Sequence, residues 1–399
     1  MLKTIFLALA LALVAAAPAS AWHRKTPTLL QITPNAAGAI ADAAWSGYRY
    51  VVFDSDADLL GNGSSGRQVF MFDLQQRDRT GTLSVRQVTS GPGDNRHGST
   101  GTRAKTVAFD AMPGGVGPRQ IMLAPGAGGG AAVALTQGAA DSVNPVVDDS
   151  GRWLVFESKA DLLDAGFAGS QIYVADLHIA NGACPYPCAA TGNLGLRQLT
   201  HKAGTSVHPT INKGGKVVAF ESDADLLGTG QMQTQIYRVN MLNSTTTSPT
   251  RGPGASRHPD LSKDGNLLSF ESDADLLGNG STGTQIFLYR QSTSVMRQLT
   301  NVPGGGGSNP SMETTGRGVL FTSTADLLAN GSTGQQVFQY DVSTDVLHQV
   351  TKTAGTTSDP AYSAGVFTIF LSNGDLLGNG TPNALYLVNL FALQSGVVP

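Results

Sequence analysis

Seven copies of one short pattern run along this chain of 399 residues. Each copy is built around a Phe in or at the end of a short apolar run, and Asp-Leu-Leu follows it in six of the seven. Self-similarity at a period of roughly fifty residues is the sequence signature of a repeat architecture. We use the central Phe as the reference residue of each unit. The reference residues are Phe53, Phe109, Phe156, Phe220, Phe270, Phe321 and Phe370.

Each unit contains four short strand candidates that are separated by turn signals. In five units a Gln stands fifteen residues after the reference Phe and begins an alternating segment, as Gln285 does in "QIFLYR". A segment of the type "RQLT" follows, and then a glycine-rich turn leads to the next unit. No segment has a helical period. Four strands per unit of roughly fifty residues are typical of a propeller blade. The sequence therefore predicts an all-β, seven-bladed β-propeller with four-stranded blades.

The two ends of the chain fit the same architecture. The seventh unit stops at "LYLVNLF" and lacks a strand of the "RQLT" type. A spare strand candidate, "LLQIT" at residues 29–33, stands before the first unit. Pairing between the two would remove an open sheet edge. We therefore predict that an N-terminal strand completes the last blade, which favours seven blades over six or eight.

The N-terminus has the features of a secretory signal peptide. A positive start is followed by an apolar run at residues 5–17 and by an Ala-x-Ala ending at Ala21. The run is too short for a comfortable membrane span. We expect residues 1–21 to be the signal peptide, 22–393 a single propeller domain and 394–399 a C-terminal tail. The expected location is the periplasm or the extracellular space.

The charge balance excludes some classes of partner. Lys and Arg total 26 against 29 Asp and Glu, which gives a net charge of -3. This balance lacks the basic footprint of a protein that binds nucleic acid or an anionic membrane. We expect no nucleic-acid partner and no membrane span. We expect a monomer whose partner is a protein or a glycan.

Only two cysteines occur, Cys184 and Cys188. In an oxidising compartment we expect a local disulfide between them, across a hairpin loop. Metal binding is the alternative, although no second Cys or His pair with zinc-site spacing lies beside them. Haem attachment is excluded because the sequence contains no C-x-x-C-H.

The loop after the reference Phe carries alternating carboxylates in three units. In an extended chain they would lie on one face and could share a hard cation such as Ca²⁺. The loop departs from a calcium loop, because Leu59 stands where glycine is needed and no bidentate Glu follows. In the structural alternative, the Asp of Asp-Leu-Leu accepts backbone N–H bonds and the Leu pair packs between blades. We expect no cofactor, with Ca²⁺ or another divalent cation as the alternative. The candidate metal ligands are Asp54, Asp56, Asp58, Glu221, Asp223, Asp225, Glu271, Asp273 and Asp275.

Polar residues recur at the entry to the innermost strand of the units. They stand twelve residues before the reference Phe in five units and eleven before it in the last. Equivalent positions in a propeller form a ring at one mouth of the central channel, on the face where the acidic loops emerge. We expect a ligand to bind there, the alternative being that these residues only solvate the channel. The candidate ligand-binding residues are His97, Asn144, His208, His258, Asn309 and Asp359.

The stretch "HPDLSKDGNLLSFESDADLLGNGSTGTQIFLYR" resembles the TolB-type, WD40-like propeller repeat of exported bacterial proteins. The resemblance covers nearly all of the expected mature chain and implies the propeller fold. It implies no single function, because one scaffold carries many activities. The chain lacks the Gly-His and Trp-Asp signature of true WD40 repeats. We expect no second domain of the kind that periplasmic TolB proteins have.

Propellers similar to this one include metal-dependent lyases of acidic sugars and serine peptidases with an added hydrolase domain. A peptidase is excluded by the length and by the absence of G-x-S-x-G. His208 and His258 are compatible with a lyase metal, but the basic cluster that would neutralise a uronate is missing. We therefore expect a non-catalytic interaction scaffold. The alternatives are a polysaccharide lyase that uses the channel-mouth histidines, a calcium-binding structural propeller and a purely structural module.

Overall fold

The computed structural model contains seven four-stranded antiparallel sheets, which are the blades of a ring around a central channel. Hardly any helix is present among the described residues. The all-β, seven-bladed propeller that the sequence predicts is therefore confirmed. The described residues are 29–33, 39–46, 49–76, 84–90, 93–178, 195–363, 367–380 and 382–390.

In the first six blades, four consecutive strands run from the channel to the outer edge. Blade 1 contains β2 (Ile40–Ser46), β3 (Tyr50–Ser55), β4 (Gln68–Asp73) and β5 (Val85–Gln87). Blade 2 contains β6 (Asn95–Thr100), β7 (Thr106–Ala111), β8 (Gln120–Pro125) and β9 (Val133–Ala134). Blade 3 contains β10 (Ser142–Val147), β11 (Trp153–Ser158), β12 (Gln171–Asp176) and β13 (Arg197–Gln198).

The later blades have the same organisation. Blade 4 contains β14 (Ser206–Ile211), β15 (Val217–Ser222), β16 (Gln235–Asn240) and β17 (Thr245–Thr247). Blade 5 contains β18 (Ser256–Leu261), β19 (Leu267–Ser272), β20 (Gln285–Arg290) and β21 (Val295–Gln298). Blade 6 contains β22 (Ser308–Met312), β23 (Gly318–Ser323), β24 (Gln336–Asp341) and β25 (Val346–Gln349). Blade 7 contains β26 (Thr357–Tyr362), β27 (Phe367–Ser372), β28 (Ala384–Asn389) and, from the other end of the chain, β1 (Leu29–Gln31).

The closure of the ring is the one expected from the sequence. β1 pairs antiparallel with β28, and Leu30 stands opposite Leu387. The backbone N–H of Ile32 continues this ladder by donating to the carbonyl of Leu385 at 2.8 Å. The prediction that an N-terminal strand completes the last blade is therefore confirmed. The outer edge of β28 is covered by β1.

The reference Phe lies at the centre of each blade's second strand, where it is almost completely buried. In blade 5, Phe270 stands directly opposite Phe287 on the neighbouring strand, and the ring centroids are 5.6 Å apart. The reference Phe stacks on a Phe or Tyr in the same way in six of the seven blades. Cross-strand aromatic pairs of this kind add to the stabilisation that burial provides. The repeated Phe is therefore a core residue.

The repeated Gln has a structural role that its position in the sequence did not reveal. Gln285 is buried at the start of β20, and its amide nitrogen donates to the carbonyls of Thr282 and Val302 at 2.7 Å each. Its amide oxygen accepts from the hydroxyl of Thr300 at 2.9 Å. The same Gln–Thr pair joins the third strand to the chain after the fourth in five blades. These pairs are Gln68–Thr89, Gln120–Thr136, Gln171–Thr200, Gln285–Thr300 and Gln336–Thr351.

We expect Gln285→Ala to lower the free energy of unfolding by about 1–3 kcal/mol, because it leaves buried polar groups without partners. Urea denaturation of the purified protein would measure the loss. Gln233→Ala is the matched control, since Gln233 is exposed in the preceding blade and its removal should change stability by less than about 0.5 kcal/mol. Equal effects of the two substitutions would contradict the assigned role.

Three sequence predictions fall outside the described residues. They are the signal peptide at residues 1–21, the tail at 394–399 and the disulfide between Cys184 and Cys188. Within the part of the chain that the structure describes, no helix is both long enough and apolar enough to cross a membrane.

Candidate functional site

The three carboxylates of the acidic loop point to three different places. β19 ends at Ser272, and the chain turns there because the Ser272 hydroxyl accepts the N–H of Ala274 at 3.1 Å. Glu271 lies within the strand and is buried, whereas Asp273 and Asp275 follow the turn and are exposed. The same division holds for Asp54, Asp56 and Asp58 in blade 1. In blade 4, Glu221 is buried, Asp223 is exposed and Asp225 is half-buried.

The second and third carboxylates bind backbone N–H groups. Asp273 accepts the N–H of Ala255, in the linker from the preceding blade, at 2.6 Å. Asp275 accepts the N–H groups of Asn279 and Gly280 at 3.0 and 2.8 Å. These bonds, that of Gly280 foremost, hold the pKa of Asp275 below its usual range. The expected turn role of the Asp in Asp-Leu-Leu is therefore present, and it recurs at Asp58, Asp161, Asp225, Asp326 and Asp375.

The expectation for the Leu pair holds for only one of its two residues. Leu59 is 7% exposed and belongs to the core of blade 1, whereas Leu60 is 45% exposed. The expectation that both residues pack between blades is therefore wrong for the second Leu. The turn that Asp58 closes directs successive side chains to opposite sides, so only one of the two can face the core.

The channel mouth is lined by one polar residue from each of the seven blades. Each stands at a β-bulge in the innermost strand, where its backbone has a positive φ between 47 and 55°. This left-handed conformation is uncommon outside glycine, and Asn, Asp and His are the residues that adopt it most readily. We call these seven residues the channel-mouth ring. Its members are Asp42, His97, Asn144, His208, His258, Asn309 and Asp359.

Six members of the ring were candidates from the sequence, and Asp42 was missed. Asp42 stands eleven residues before Phe53, the same offset that Asp359 has from Phe370. This offset could therefore have identified Asp42 as a member of the ring. Unlike Asp359, Asp42 is not followed by Pro.

Behind the ring, five buried carboxylates connect neighbouring blades. Each follows the reference Phe directly on the second strand. Glu221 illustrates the pattern, since its Oε1 accepts the backbone N–H of His258, in the next blade, at 2.7 Å. Asp110 and Glu157 were not among the candidates from the sequence. We call the set the mouth carboxylates; they are Asp54, Asp110, Glu157, Glu221 and Glu271, and each accepts the backbone N–H of the next blade's ring residue.

The mouth carboxylates also orient the imidazoles of the ring. Nδ1 of His208 lies 3.0 Å from Oε1 of Glu221, and this hydrogen bond raises the pKa of His208. Nδ1 of His97 lies 2.5 Å from Oδ2 of Asp110. Burial alone lowers the pKa of His97, but the bond to Asp110 and the nearby negative charges raise it overall. Since Nδ1 faces the carboxylate, Nε2 of each ring faces away from it.

His258 has a similar position with a looser contact. Its Nδ1 lies 3.0 Å from Oε1 of Glu271, but the two groups are not aligned as a hydrogen bond, so Nδ1 is a buried atom without a partner. The imidazole of His258 lies beside that of His208, with ring centroids 5.5 Å apart and planes tilted by 33°. The two histidines of neighbouring blades therefore form a pair at the mouth.

One group of potential metal ligands stands out in this arrangement. His208, Glu221 and His258 each offer a ligand atom, and these atoms all lie within 4.8 Å of one another. Within the described ranges, no other group of three His, Cys, Asp or Glu side chains meets that distance. The structure thus brings together two of the candidate ring histidines and one of the candidate loop acids. It leaves the three acids of any one loop apart.

The other side of the mouth is dominated by carboxyl groups. Asp54 is fully buried, and its Oδ2 lies 2.8 Å from the guanidinium of Arg67. Burial, followed by the charge of Asp42, nevertheless raises the pKa of Asp54 to about 8. Burial also raises the pKa of Asp359, and the charge of Asp42 adds to this effect. On the side of the mouth that holds Asp42 and Asp359, burial and the nearby negative charge therefore favour the protonated forms of Asp54 and Asp359.

The central channel contains a cavity of about 350 Å³, and residues from all seven blades line it. Asp42, His97 and Asn144 line its entrance, and small or hydroxyl-bearing residues such as Ser99 and Thr210 line its wall. Its size falls in the range of small-molecule pockets. These three ring residues are therefore accessible from the channel.

Comparisons with known proteins agree with this fold. No known family matches the sequence, and no curated protein sequence matches it. An oligogalacturonate lyase in complex with manganese has 15% identity and a TM-score of 0.61, and the match covers 91% of this chain and 93% of that one. An oligogalacturonate lyase from Vibrio parahaemolyticus has 15% identity and a TM-score of 0.58, with 90% and 93% covered.

TolB proteins are also among the similar solved structures. A putative TolB from Agrobacterium tumefaciens has 19% identity and a TM-score of 0.45, and the match covers 68% of this chain and 86% of that one. At such identities the likeness concerns architecture and carries no activity over. The chain is a seven-bladed β-propeller whose fold is similar to that of the two oligogalacturonate lyases.

Proposed function

We propose that the protein is an exported binding propeller whose ligand site is the channel mouth, and that His208, Glu221 and His258 hold a divalent metal ion there. The observation that carries the proposal is the convergence of these three side chains from two neighbouring blades. Propellers present a wide, rigid disc with loops on both faces, which suits the recognition of a protein or a glycan. The bound ion would serve as the anchor for that ligand.

The donor set fits a transition metal better than Ca²⁺. Two imidazole nitrogens and one carboxylate suit ions such as Zn²⁺, Fe²⁺ or Mn²⁺, whereas Ca²⁺ takes six to eight oxygen ligands. The exposed acids of the loops, which could have supplied such oxygens, are engaged by backbone N–H groups. Three protein ligands leave coordination positions open, and an oxygen atom of an incoming ligand can occupy one.

The surrounding residues prepare this site in the free protein. In the free protein Glu221 accepts from Nδ1 of His208 and from the backbone N–H of His258, and a bound ion would take the position of the Nδ1 proton between His208 and Glu221. Glu271 lies behind the imidazole of His258. Carboxylates in this position fix the orientation of a metal-binding imidazole. The left-handed backbone at both histidines directs their side chains into the mouth.

Binding is favoured over catalysis by the charge of the mouth. The second candidate, a lyase of acidic sugars, is supported by the similar fold of a manganese-bound oligogalacturonate lyase. A polyuronate at this site would lie near Asp42, Asp359 and the mouth carboxylates. The nearby guanidinium group of Arg119 is already paired with Asp110, and that of Arg67 lies against the buried Asp54. We therefore propose a protein or a glycan without dense negative charge as the ligand.

Metal binding can be tested on the purified protein. We expect one equivalent of Mn²⁺ or Zn²⁺ to bind and to raise the melting temperature reversibly, with EDTA abolishing the shift. At a metal concentration a hundredfold above Kd, the stabilisation is about 2.7 kcal/mol. The double variant His208→Ala, His258→Ala should lose it. His97→Ala is the matched control, because His97 belongs to the ring but lies outside the metal group.

Other outcomes separate the alternatives. A shift that persists in the double variant would contradict the assigned ligands. A larger rise in melting temperature with Ca²⁺ than with Zn²⁺ or Mn²⁺ would favour the hypothesis of a calcium-binding structural propeller. Turnover of oligogalacturonide that depends on the metal and is lost in the double variant would show that the protein is a lyase.

A further inference from the structure

Four of the seven blades end the loop after Asp-Leu-Leu with the dipeptide Asn-Gly. All four dipeptides lie on the surface. In flexible peptides Asn-Gly is especially prone to deamidation, because glycine has no side chain to hinder attack by its own backbone nitrogen. We call these dipeptides the Asn-Gly tips; they are Asn62-Gly63, Asn279-Gly280, Asn330-Gly331 and Asn379-Gly380.

The chemistry of deamidation defines what the fold must control. The backbone nitrogen of the glycine loses its proton and attacks Cγ of the asparagine side chain. A bond from nitrogen to Cγ forms, the bond from Cγ to Nδ2 breaks, and the amide nitrogen leaves as ammonia. Water then opens the cyclic imide to Asp or isoAsp. Reaction therefore needs a glycine nitrogen free of hydrogen bonds and an asparagine side chain that is free to rotate onto it.

The structure restrains both reacting groups at Asn279-Gly280. The N–H of Gly280 donates to Oδ2 of Asp275 at 2.8 Å, so the attacking nitrogen is held by a carboxylate. Nδ2 of Asn279 donates to Oε1 of Gln298, on the outer strand β21, at 2.8 Å. The side-chain oxygen of Asn279 accepts the N–H of Ser281 at 3.1 Å. Both polar atoms of the asparagine side chain are thus held by hydrogen bonds.

The other three tips repeat this arrangement. The glycine N–H donates to the Asp of Asp-Leu-Leu, five residues earlier, at 2.8 Å in blades 1 and 6 and at 2.6 Å in blade 7. The asparagine amide donates to a Gln of the outer strand at 2.7, 2.7 and 2.9 Å. We call each Asp and Gln together a clamp. The clamps are Asp58 with Gln87, Asp275 with Gln298, Asp326 with Gln349, and Asp375 with Gln31.

We propose that the Asn-Gly tips are latent deamidation sites and that the clamps keep them unreactive in the folded protein. Deamidation at Asn279 would replace an amide donor by a carboxylate, so the bond to Gln298 would be lost. The new negative charge would also lie close to Asp275, which makes the damaged loop less stable still. A protein that works outside the cytoplasm gains chemical lifetime from such protection. The inference does not depend on the proposed ligand or metal.

The substitution Gln298→Ala opens one clamp and leaves the other three intact. Folded protein would be kept at mildly alkaline pH, and peptide mapping by mass spectrometry would measure deamidation at each tip over time. Loss of one hydrogen bond of about 1 kcal/mol predicts a rate at Asn279 about fivefold higher than in the unmodified protein. Asn62, Asn330 and Asn379 in the same chains serve as internal controls and should keep their rates.

A second variant and an unfolded reference complete the test. Gln349→Ala should accelerate deamidation at Asn330 alone, which distinguishes loss of a clamp from general unfolding. In denaturant, all four tips of the unmodified chain should deamidate faster than in the folded protein. The proposal is overturned if the four tips react equally fast in folded and denatured protein. It is also overturned if neither variant changes the rate at its own tip.

Discussion

Replacing Ile32 with Ala should lower the free energy of unfolding by about 2–5 kcal/mol, the usual cost of truncating a buried aliphatic side chain. Ile32 is 1% exposed and packs in the core that blades 7 and 1 share. It follows β1 directly, so its side chain helps to anchor the closing strand. Leu60→Ala is the control, because that side chain is exposed and its loss should change stability by less than about 0.5 kcal/mol.

Deleting residues 29–33 should have a larger effect than Ile32→Ala. It removes the whole pairing with β28, the bond from Asn379 to Gln31 and the contribution of Ile32. Chemical denaturation and size-exclusion chromatography should reveal a less stable protein that associates through its open edge. A synthetic peptide with the sequence of residues 29–33 should restore part of the stability. A deletion variant that melts like the full chain would contradict the role of β1 in closing the ring.

The second large effect concerns pH. Asp54 has a pKa raised to about 8 in the folded protein, against 3.8 as its ordinary value. Between these values the folded state holds a proton that the unfolded chain releases, so its contribution to stability falls as pH rises through this window. One proton gives a slope of at most about 1.4 kcal/mol per pH unit. The groups around Asp54 are Asp42, Arg67 and the backbone N–H of His97.

Asp54→Asn should remove this part of the pH dependence, because the amide does not titrate. The readout is the difference between the slopes of stability against pH for the two proteins, measured by urea denaturation across the window from about pH 4 to pH 8. Asp164→Asn is the control, since Asp164 is exposed and Asn tolerates its positive φ of 52°. Identical slopes for Asp54→Asn and the unmodified chain would show that Asp54 is ionised throughout.

The fold could be predicted from the sequence because the repeat itself shows which residues of the seven units are equivalent. The constant distance from Phe to Gln fixes the second and third strands, and the surplus strand at residues 29–33 fixes the closure. The channel-mouth ring could be predicted for the same reason. Equivalent residues in equivalent blades must surround one axis, whatever their chemistry.

The sequence did not allow us to predict which candidate ligands lie close together. Alternation along an extended chain places Glu271 and Asp273 on one face only if the strand continues past Ser272, but the strand ends there. The partners that matter come from different blades, as when Glu221 meets His258 thirty-seven residues away. Nothing in one unit's sequence specifies a contact with the next. The buried carboxylates Asp110 and Glu157 went unnoticed for this reason.

The mouth carboxylates have a mechanical consequence. Each accepts a hydrogen bond from the backbone of the ring residue in the following blade, so the ring residues from His97 to Asn309 are linked in an unbroken arc. The arc ends at blade 6, because Thr322 pairs with Ser308 and Leu371 has no side-chain oxygen to offer. Rigidity is thus concentrated on the side of the histidines. Any widening of the channel to admit a ligand should occur on either side of blade 7, the blade in which β1 closes the ring without a covalent bond.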